Sequence, residues 1–262
     1  MNDEHIKITV EAITYMKMNL AEEITTEELA SHVGYSHFHF IRIFKEVTGI
    51  APRHYLSALR IEAGKYHLSE STSSVLKVLL SLGFQSIGTF SSRFKQYVGQ
   101  SPREFRQKMS TLQNHLIQYG TMEQTQSLET LQFQSIRCKI IPPLHFKGIL
   151  FAGLFPRPIP DQRPIVGTAL LHKNSYCLFS NIPEGKYYML IAGIPWNLNP
   201  KKYFSSDSLL RGKYEQPLEI TSGTNIDITV KLHEPMPYDP PILINLPLLL
   251  YEKNKAKRNN HG

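Results

Sequence analysis

Hydrophobic positions in the first 110 residues follow the spacing of amphipathic helices. One such stripe has members three or four residues apart: Phe40, Ile43, Phe44 and Val47. This stripe predicts a helix over residues 37–47 with one buried face. A shorter helix is expected before it, beginning after the capping-box pair Thr25 and Glu28 and ending at Gly34, where a missing β-carbon permits a tight turn.

The same pattern occurs a second time about 50 residues later. Phe44 corresponds to Phe94 at an offset of 50, whereas Gly34 corresponds to Gly83 at an offset of 49. One residue has therefore been added between the turn and the following helix. Each copy predicts a short helix, a glycine turn, a second helix and a third helix that begins at proline, which is the helix-turn-helix arrangement.

The second half of the chain has the pattern of short β-strands. Two of the 17 prolines, Pro52 and Pro102, precede residue 111 and the other 15 follow it, so only the first part can be wholly helical. Residues 226–232 alternate strictly between apolar and polar side chains, as in a strand with one buried face. Many such runs, separated by Pro, Gly and Asn, favour an antiparallel sandwich or barrel.

These patterns predict two domains. An all-α double helix-turn-helix domain occupies residues 1–110, and a polar helix end and linker follow over residues 111–135. A mainly antiparallel β-sandwich with a regulatory or dimerisation role is expected over residues 136–252. Residues 253–262 are rich in Lys, Arg and Asn, which is typical of a disordered basic tail.

Composition agrees with an ordinary globular protein. The chain has 262 residues, of which 41% are hydrophobic and 19% charged, and this excludes global disorder. The two cysteines lack CxxC spacing, so buried free thiols are expected. No uninterrupted apolar run reaches the roughly 18 residues of a membrane span, and the acidic N-terminus lacks the apolar core of a signal peptide. We therefore expect no membrane partner and a cytoplasmic location.

Charge is distributed unevenly along the predicted helical domain. Residues 3–28 contain seven acidic and two basic side chains, a net charge of −5, and residues 29–110 contain eleven basic and four acidic ones, a net charge of +7. A polyanion would be attracted to the second segment and repelled by the first. A solvated basic surface without a ligand is the alternative that charge alone leaves open.

Together, the duplicated residues resemble the AraC/XylS family of transcriptional regulators. The matching positions are Leu29, Ala30, Gly34, Tyr35, Ser36, Phe44, Lys45, Gly49, Pro52, Tyr55, Leu59, Arg60, Ala63, Gly83, Phe84, Phe94, Lys95, Gly99, Gln100, Ser101, Pro102, Phe105 and Arg106. The resemblance implies two helix-turn-helix units, joined by a long helix, that enter successive major grooves of double-stranded DNA. It also implies an asymmetric operator, and RNA polymerase as a partner.

In the first unit, four residues opposite the buried stripe are candidates for contacts with DNA bases: His37, Phe38, Ile41 and Arg42. Arg42 is the strongest candidate, because a guanidinium group matches the two acceptors of guanine in the major groove. A solvent-facing or phosphate-facing Arg42 is the alternative. Lys45 is expected to contact phosphate.

The second unit departs from the family pattern. Its base-contact candidates are Ile87, Gly88, Ser91 and Ser92, and its phosphate-contact candidates are Arg93, Lys95 and Arg103. Ser92 stands where the family usually carries arginine, and the basic residue comes one position later. We therefore expect weaker sequence discrimination by this unit, which then serves mainly for positioning.

Patterns typical of enzymes are weak. The segment around Ser86 does not form a nucleophile elbow, no phosphate-binding loop is present, and histidines are not spaced as metal ligands. We therefore expect no catalytic residues, cofactor or metal site. The β domain weakly resembles transthyretin-like or carboxypeptidase-regulatory-like sandwiches, and a small-molecule effector or homodimerisation is expected to act through it. The alternative function is a structural or interaction protein whose helical domain binds protein partners and whose β domain carries the main activity.

Overall fold

A computed structural model describes residues 2–70, 73–121, 134–196 and 200–259 of the chain. It divides into two compact units. The helical unit contains Met1–Gln107 together with Met236–Ile244, and the sheet unit contains Lys108–Pro235 together with Asn245–Gly262. Among the described residues, no helix is both long enough and apolar enough to cross a membrane.

Helices account for the regular structure before residue 122, which confirms the predicted helical fold of the N-terminal region. In chain order they are α1 (Asp3–Met18), α2 (Thr26–His32), α3 (His37–Thr48), α4 (Pro52–Glu70), α5 (Val75–Leu80), α6 (Ile87–Val98) and α7 (Pro102–Thr121). The first helix pair, α2 and α3, and the second helix pair, α5 and α6, each surround a glycine turn. Helix α4 joins the two pairs.

The helix boundaries follow from local hydrogen bonds. The backbone N–H of Thr25 donates to Glu28 Oε2 over 2.8 Å, and the N–H of Glu28 donates to Thr25 Oγ1 over 3.1 Å, so the predicted capping box is confirmed. Ser36 stands at the N-cap of α3, but within the described structure its side chain accepts no capping hydrogen bond, unlike Ser86 before α6. The turn residues Gly34 and Gly83 have left-handed φ angles of +75° and +71°.

The internal duplication is also present in the packing of the helical unit. Each copy has a chain of three fully buried aromatic rings, with centroids 5.4–5.6 Å apart: Phe40, Phe44 and Tyr55 in the first copy, and Phe90, Phe94 and Phe105 in the second. Edge-to-face and tilted ring pairs at such distances are favourable. An equivalent set of buried aromatic rings therefore supports each helix pair.

The described residues of the sheet unit form eight strands in two sheets. They are β1 (Ser135–Ile141), β2 (Gly148–Phe155), β3 (Val166–Leu171), β4 (Tyr176–Phe179), β5 (Gly185–Pro195), β6 (Leu210–Lys213), β7 (Leu218–Ile220) and β8 (Asn225–Lys231). One sheet has the order β4-β1-β8, and the other has the order β3-β2-β5-β6 with β7 also paired to β5. All these pairs are antiparallel except β1 with β8, so the predicted mainly antiparallel fold is confirmed.

Both cysteines are buried and free, as expected from their spacing. Cys138 on β1 is directly opposite Cys177 on β4, among the apolar residues of the unit's core. A hydrogen bond between the two thiols, followed by burial, raises the pKa of Cys177. These thiols therefore belong to the core of the sheet unit.

The ends of the sheet unit differ from the sequence-based expectation. Residues 111–121, predicted as a helix end and linker, continue α7, while residues 122–133 of the predicted linker lie outside the described residues. The basic tail was predicted to be disordered, but residues 253–259 belong to a final helix, α8 (Leu246–Asn259). The composition of the tail did not predict this helix, because the helix begins in the apolar segment before the tail. A tertiary contact also holds it, since Lys253 Nζ donates to the carbonyl oxygen of Gly167 over 3.2 Å.

A segment near the C-terminus packs with the helical unit. Met236–Ile244, which we call the strap, belongs to the helical unit, although the sequence predicts a β domain over residues 136–252 that includes it. The Tyr55 hydroxyl donates to the carbonyl oxygen of Asp239 over 2.8 Å, and Lys65 Nζ donates to that of Ile242 over 2.6 Å. Contacts so distant along the sequence have no local pattern from which to predict them.

Candidate nucleic-acid interface

The exposed face of α3 carries the residues predicted to contact DNA. Phe38 is 84% exposed, Arg42 and Lys45 are also exposed, and His37 and Ile41 are partly buried. The opposite face is buried against the helical core, and α1 packs along it. The sequence pattern therefore placed the buried and exposed faces of this helix correctly, while the DNA-contacting roles of its residues stay predictions.

A contact between an imidazole and a carboxylate group joins the two helices of the first pair. Nε2 of His37, at the first position of α3, lies 3.2 Å from Oε1 of Glu27 on α2. The ring of Phe38 lies edge-on to the His37 ring, with centroids 5.2 Å apart. Glu27 was not singled out from the sequence, because only the folded turn between the helices brings it to this position.

The base-contact candidates on α6 include no basic side chain. Ile87, Gly88 and Ser92 are exposed, and Ser91 is partly buried. The offset of 50 residues places Ser92 at the position of Arg42, and Lys95 at the position of Lys45. The two helices therefore share a lysine at equivalent positions but differ at the position of the strongest base-contact candidate.

Arg93 occupies a different environment from its counterpart in the first copy. Ile43, at the equivalent position, is fully buried, whereas Arg93 is exposed. Arg93 lies close enough to Arg60 to affect its titration. Burial, and then the positive charge of Arg93, lower the pKa of Arg60, while Glu23 opposes this change.

The loop between α1 and α2 packs against α4 and against the glycine turn of the second helix pair. Arg60 on α4 donates from Nε to the carbonyl oxygen of Leu20 over 2.9 Å and from Nη2 to that of Glu22 over 2.5 Å. A β-carbon on Gly83, in the turn of the second pair, would lie only 2.6 Å from the carbonyl oxygen of Ala21. This loop therefore contacts both the joining helix and the second turn.

Close packing between α4 and α6 adds to this connection. A β-carbon on Gly64 would lie 3.2 Å from the ring of Phe90, so α4 approaches α6 as closely as an unsubstituted glycine allows. Arg106, at the start of α7, donates to the carbonyl oxygen of Ser73 over 2.6 Å, just before α5. The separation of the two exposed helix faces is thus set by packed elements of one unit.

Arg103 lies in the first turn of α7 and is exposed, which leaves it accessible to a phosphate. Its contact with phosphate stays a prediction.

In the described part of the chain, no group of three or more His, Cys, Asp or Glu side chains has the arrangement of a metal site.

The comparisons with known proteins concern the same part of the chain. Residues 29–108 match a family model described as a helix-turn-helix domain. The HTH-type transcriptional regulator ArgR of Pseudomonas aeruginosa is 35% identical over 106 residues, which cover 40% of this chain and 32% of that protein. An uncharacterized HTH-type transcriptional regulator of Staphylococcus aureus is 28% identical over 106 residues, covering 40% of this chain and 14% of its own length.

Solved structures with a similar domain include an AraC-type transcriptional regulator from Chromobacterium violaceum. It is 30% identical, with a TM-score of 0.39, and the match covers 41% of this chain and 96% of that one. The DNA-binding domain of AdpA, a global transcriptional factor solved in complex with a target DNA, is 28% identical with a TM-score of 0.38, and the match covers 39% and 93% of the two chains.

Residues 29–108 thus form a helix-turn-helix domain. The curated relatives that this domain matches are HTH-type transcriptional regulators, and a similar solved structure is an AraC-type regulator, the family that the duplicated residues resemble. The chain spans only 32% and 14% of the lengths of those two relatives, so the shared region is the domain and not the whole protein.

Proposed function

We propose that this protein is a transcriptional regulator that binds double-stranded DNA sequence-specifically, with α3 and α6 in successive major grooves. The observation that carries the proposal is the equivalence of these two helices. Each has one face buried on an aromatic core and an opposite face exposed, with Lys45 and Lys95 at matching positions. Successive major grooves on one side of DNA repeat at roughly 34 Å, which suits two equivalent helices within one chain.

The proposed site is asymmetric because the two exposed faces differ. On α3, Arg42 is proposed to donate to guanine, and Phe38 and Ile41 to contact thymine methyl groups, with His37 beside them. On α6, Ile87, Gly88, Ser91 and Ser92 offer an apolar surface and short hydroxyl groups. The α3 half of the operator is therefore expected to carry more of the sequence information.

Phosphate contacts are proposed for the exposed basic residues around both helices: Lys45, Arg93, Lys95 and Arg103. Such contacts fix the orientation of a protein on the duplex but do not distinguish bases. The neighbouring Arg60 is occupied by two backbone carbonyl groups, so we assign it to positioning α4 and not to DNA.

Regulation is proposed to involve RNA polymerase as a partner of the DNA-bound protein. The sheet unit is proposed to receive a small-molecule effector or to form a homodimer. No catalytic role is proposed for either unit.

The experiment that tests DNA binding is a salt titration of affinity, measured by fluorescence anisotropy with a labelled duplex obtained by selection from a random pool. If DNA is the ligand, the logarithm of the affinity falls linearly with the logarithm of salt concentration, by about 0.9 for each neutralised phosphate. Lys95→Ala should reduce this slope by about one. Lys213→Ala, which removes an exposed lysine of the sheet unit, is the matched control and should leave the slope unchanged.

An interaction protein that uses its helical unit to bind other proteins would give a different result. No duplex would be enriched over the starting pool, and the variants Lys95→Ala and Lys213→Ala would behave alike. That result would overturn the proposed function.

A further inference from the structure

The strap, Met236–Ile244, accepts hydrogen bonds from two buried polar groups on α4. Lys65 is only 3% exposed, and its ammonium lies 2.6 Å from the carbonyl oxygen of Ile242 and 3.0 Å from Oε2 of Glu62. Tyr55 is 1% exposed and donates to the carbonyl oxygen of Asp239. A buried ammonium is strongly destabilising unless it is paired and hydrogen-bonded, so this face of α4 depends on its partners.

The sequence of the strap suits this role. Pro237, Pro240 and Pro241 restrict the backbone of the free segment, so less conformational entropy is lost when the segment docks. The docked segment begins with a turn, in which the N–H of Asp239 donates to the carbonyl oxygen of Met236 over 3.0 Å. Ile242 and Leu243 are 4% and 0% exposed, so apolar burial accompanies the two hydrogen bonds.

The helix on which the segment docks also carries contacts with the second helix pair and with the loop before α2. Lys65 directly follows Gly64, whose backbone approaches Phe90 of α6, and Arg60, five residues before Lys65, donates to the loop of residues 20–22. Along the chain, the residues on either side of the strap belong to the sheet unit. The strap is thus a segment inserted from the sheet unit into the helical unit.

We propose that the strap is an internal docking segment that holds α4 in the conformation that spaces α3 and α6, so that DNA affinity depends on its docking. The dependence on DNA rests on the proposed function, whereas the effect on α4 does not. Release of the strap would leave Lys65 and Tyr55 without these carbonyl acceptors and would loosen the helix that joins the two pairs. A segment distant in sequence would in this way control the DNA-binding unit.

The test uses the full chain and three variants. In the first, residues 236–244 are replaced by a Gly-Ser linker of the same length. In the second, Lys65→Met removes the buried charge while keeping a long side chain, and in the third, Tyr55→Phe removes only the hydroxyl. Lys147→Met, at an exposed lysine of the sheet unit, is the matched control.

Hydrogen exchange of the α4 backbone amides is the first measurement. We expect at least tenfold faster exchange in α4 for the linker variant and for Lys65→Met, a smaller increase for Tyr55→Phe, and wild-type exchange in the paired strands β2 and β5 of all three. Unchanged α4 exchange in the linker variant and Lys65→Met would overturn the proposal. If the linker variant does not fold, Lys65→Met and Tyr55→Phe decide the same question.

DNA affinity for a selected duplex is the second measurement. We expect a loss of about tenfold for Lys65→Met and no change for Lys147→Met. Faster α4 exchange with affinity within twofold of wild type would overturn the control of DNA binding by the strap. Faster α4 exchange in a protein whose wild-type form enriches no duplex would instead overturn the proposed function and support the effect of the strap on α4.

Discussion

Nε2 of His37 and Oε1 of Glu27 lie 3.2 Å apart, and this contact has no chemical counterpart in the second helix pair. The equivalent residues there are Ile87 and Leu76, each a large hydrophobic side chain that is 48% exposed. The two helix pairs therefore repeat a backbone arrangement but present different chemistry beside the proposed DNA-contacting helices.

Arg42→Ala should lower affinity for the specific duplex by roughly 1–3 kcal/mol and relax the preference at one base pair, because a guanidinium contact to guanine is lost. Ser92→Ala, at the equivalent position of α6, is the matched control and should change affinity by less than about 0.5 kcal/mol. Affinity and the selected sequence pattern are measured for both variants. An unchanged pattern for a folded Arg42→Ala protein would show that Arg42 does not contact a base.

Ser92→Arg should increase sequence discrimination in the half of the operator under α6, because it restores a guanidinium at the position that Arg42 occupies on α3. The measurement is selection of duplexes from a random pool by wild type and variant, followed by comparison of information content in each half. Wild type should show less information under α6 than under α3. Equal information in both halves for the wild-type protein would contradict the proposed asymmetry.

Gly83→Ala should destabilise the helical unit more than Gly34→Ala, although both residues have left-handed φ angles. No described heavy atom beyond the chain neighbours lies within 4 Å of a β-carbon built on Gly34, so only backbone strain of about 1 kcal/mol is expected. At Gly83 the same carbon meets the carbonyl oxygen of Ala21 at 2.6 Å, which adds roughly 1–3 kcal/mol. Chemical denaturation of both variants measures the difference, and equal losses would refute the close approach.

Gln100→Met should stabilise the helical unit by about 1 kcal/mol. Gln100 is 4% exposed, and among the described residues neither polar atom of its amide group has a hydrogen-bond partner, so removing the buried amide removes an uncompensated desolvation cost. The equivalent residue in the first copy is the buried Ile50, which shows that an apolar side chain suits this position. Gln96→Met, at an exposed site on α6, is the control. A lower melting temperature for Gln100→Met would contradict the prediction.

The fold of the helical unit was predictable from the sequence wherever it depends on interactions between residues close together in the chain. The spacing of Phe40, Ile43 and Phe44 gave the buried face of α3, and the Thr25–Glu28 capping box gave the start of α2. Each of these signals lies within one or two helical turns. The exposed faces that carry Arg42 and Ser92 followed from the same periodicity.

Features that depend on distant contacts were not predictable. The strap reaches Lys65 across 177 positions of sequence, and β1 pairs with β8 in parallel across 90 positions in the sheet unit. The helix that includes Lys253 was also missed, because its basic composition gave no sign of the tertiary contact to Gly167. Pairing of this kind is decided by the whole fold and leaves only weak local patterns.

The measurement that tests the central claim most directly is selection of duplexes from a random pool by the full-length protein, with affinities of the enriched duplex and a scrambled duplex compared at physiological salt. The account predicts two short preferred segments about one helical turn of DNA apart, and an affinity at least about a thousandfold higher than for the scrambled duplex. Equal affinity for the enriched and scrambled duplexes, or no enrichment at all, would contradict sequence-specific binding by α3 and α6.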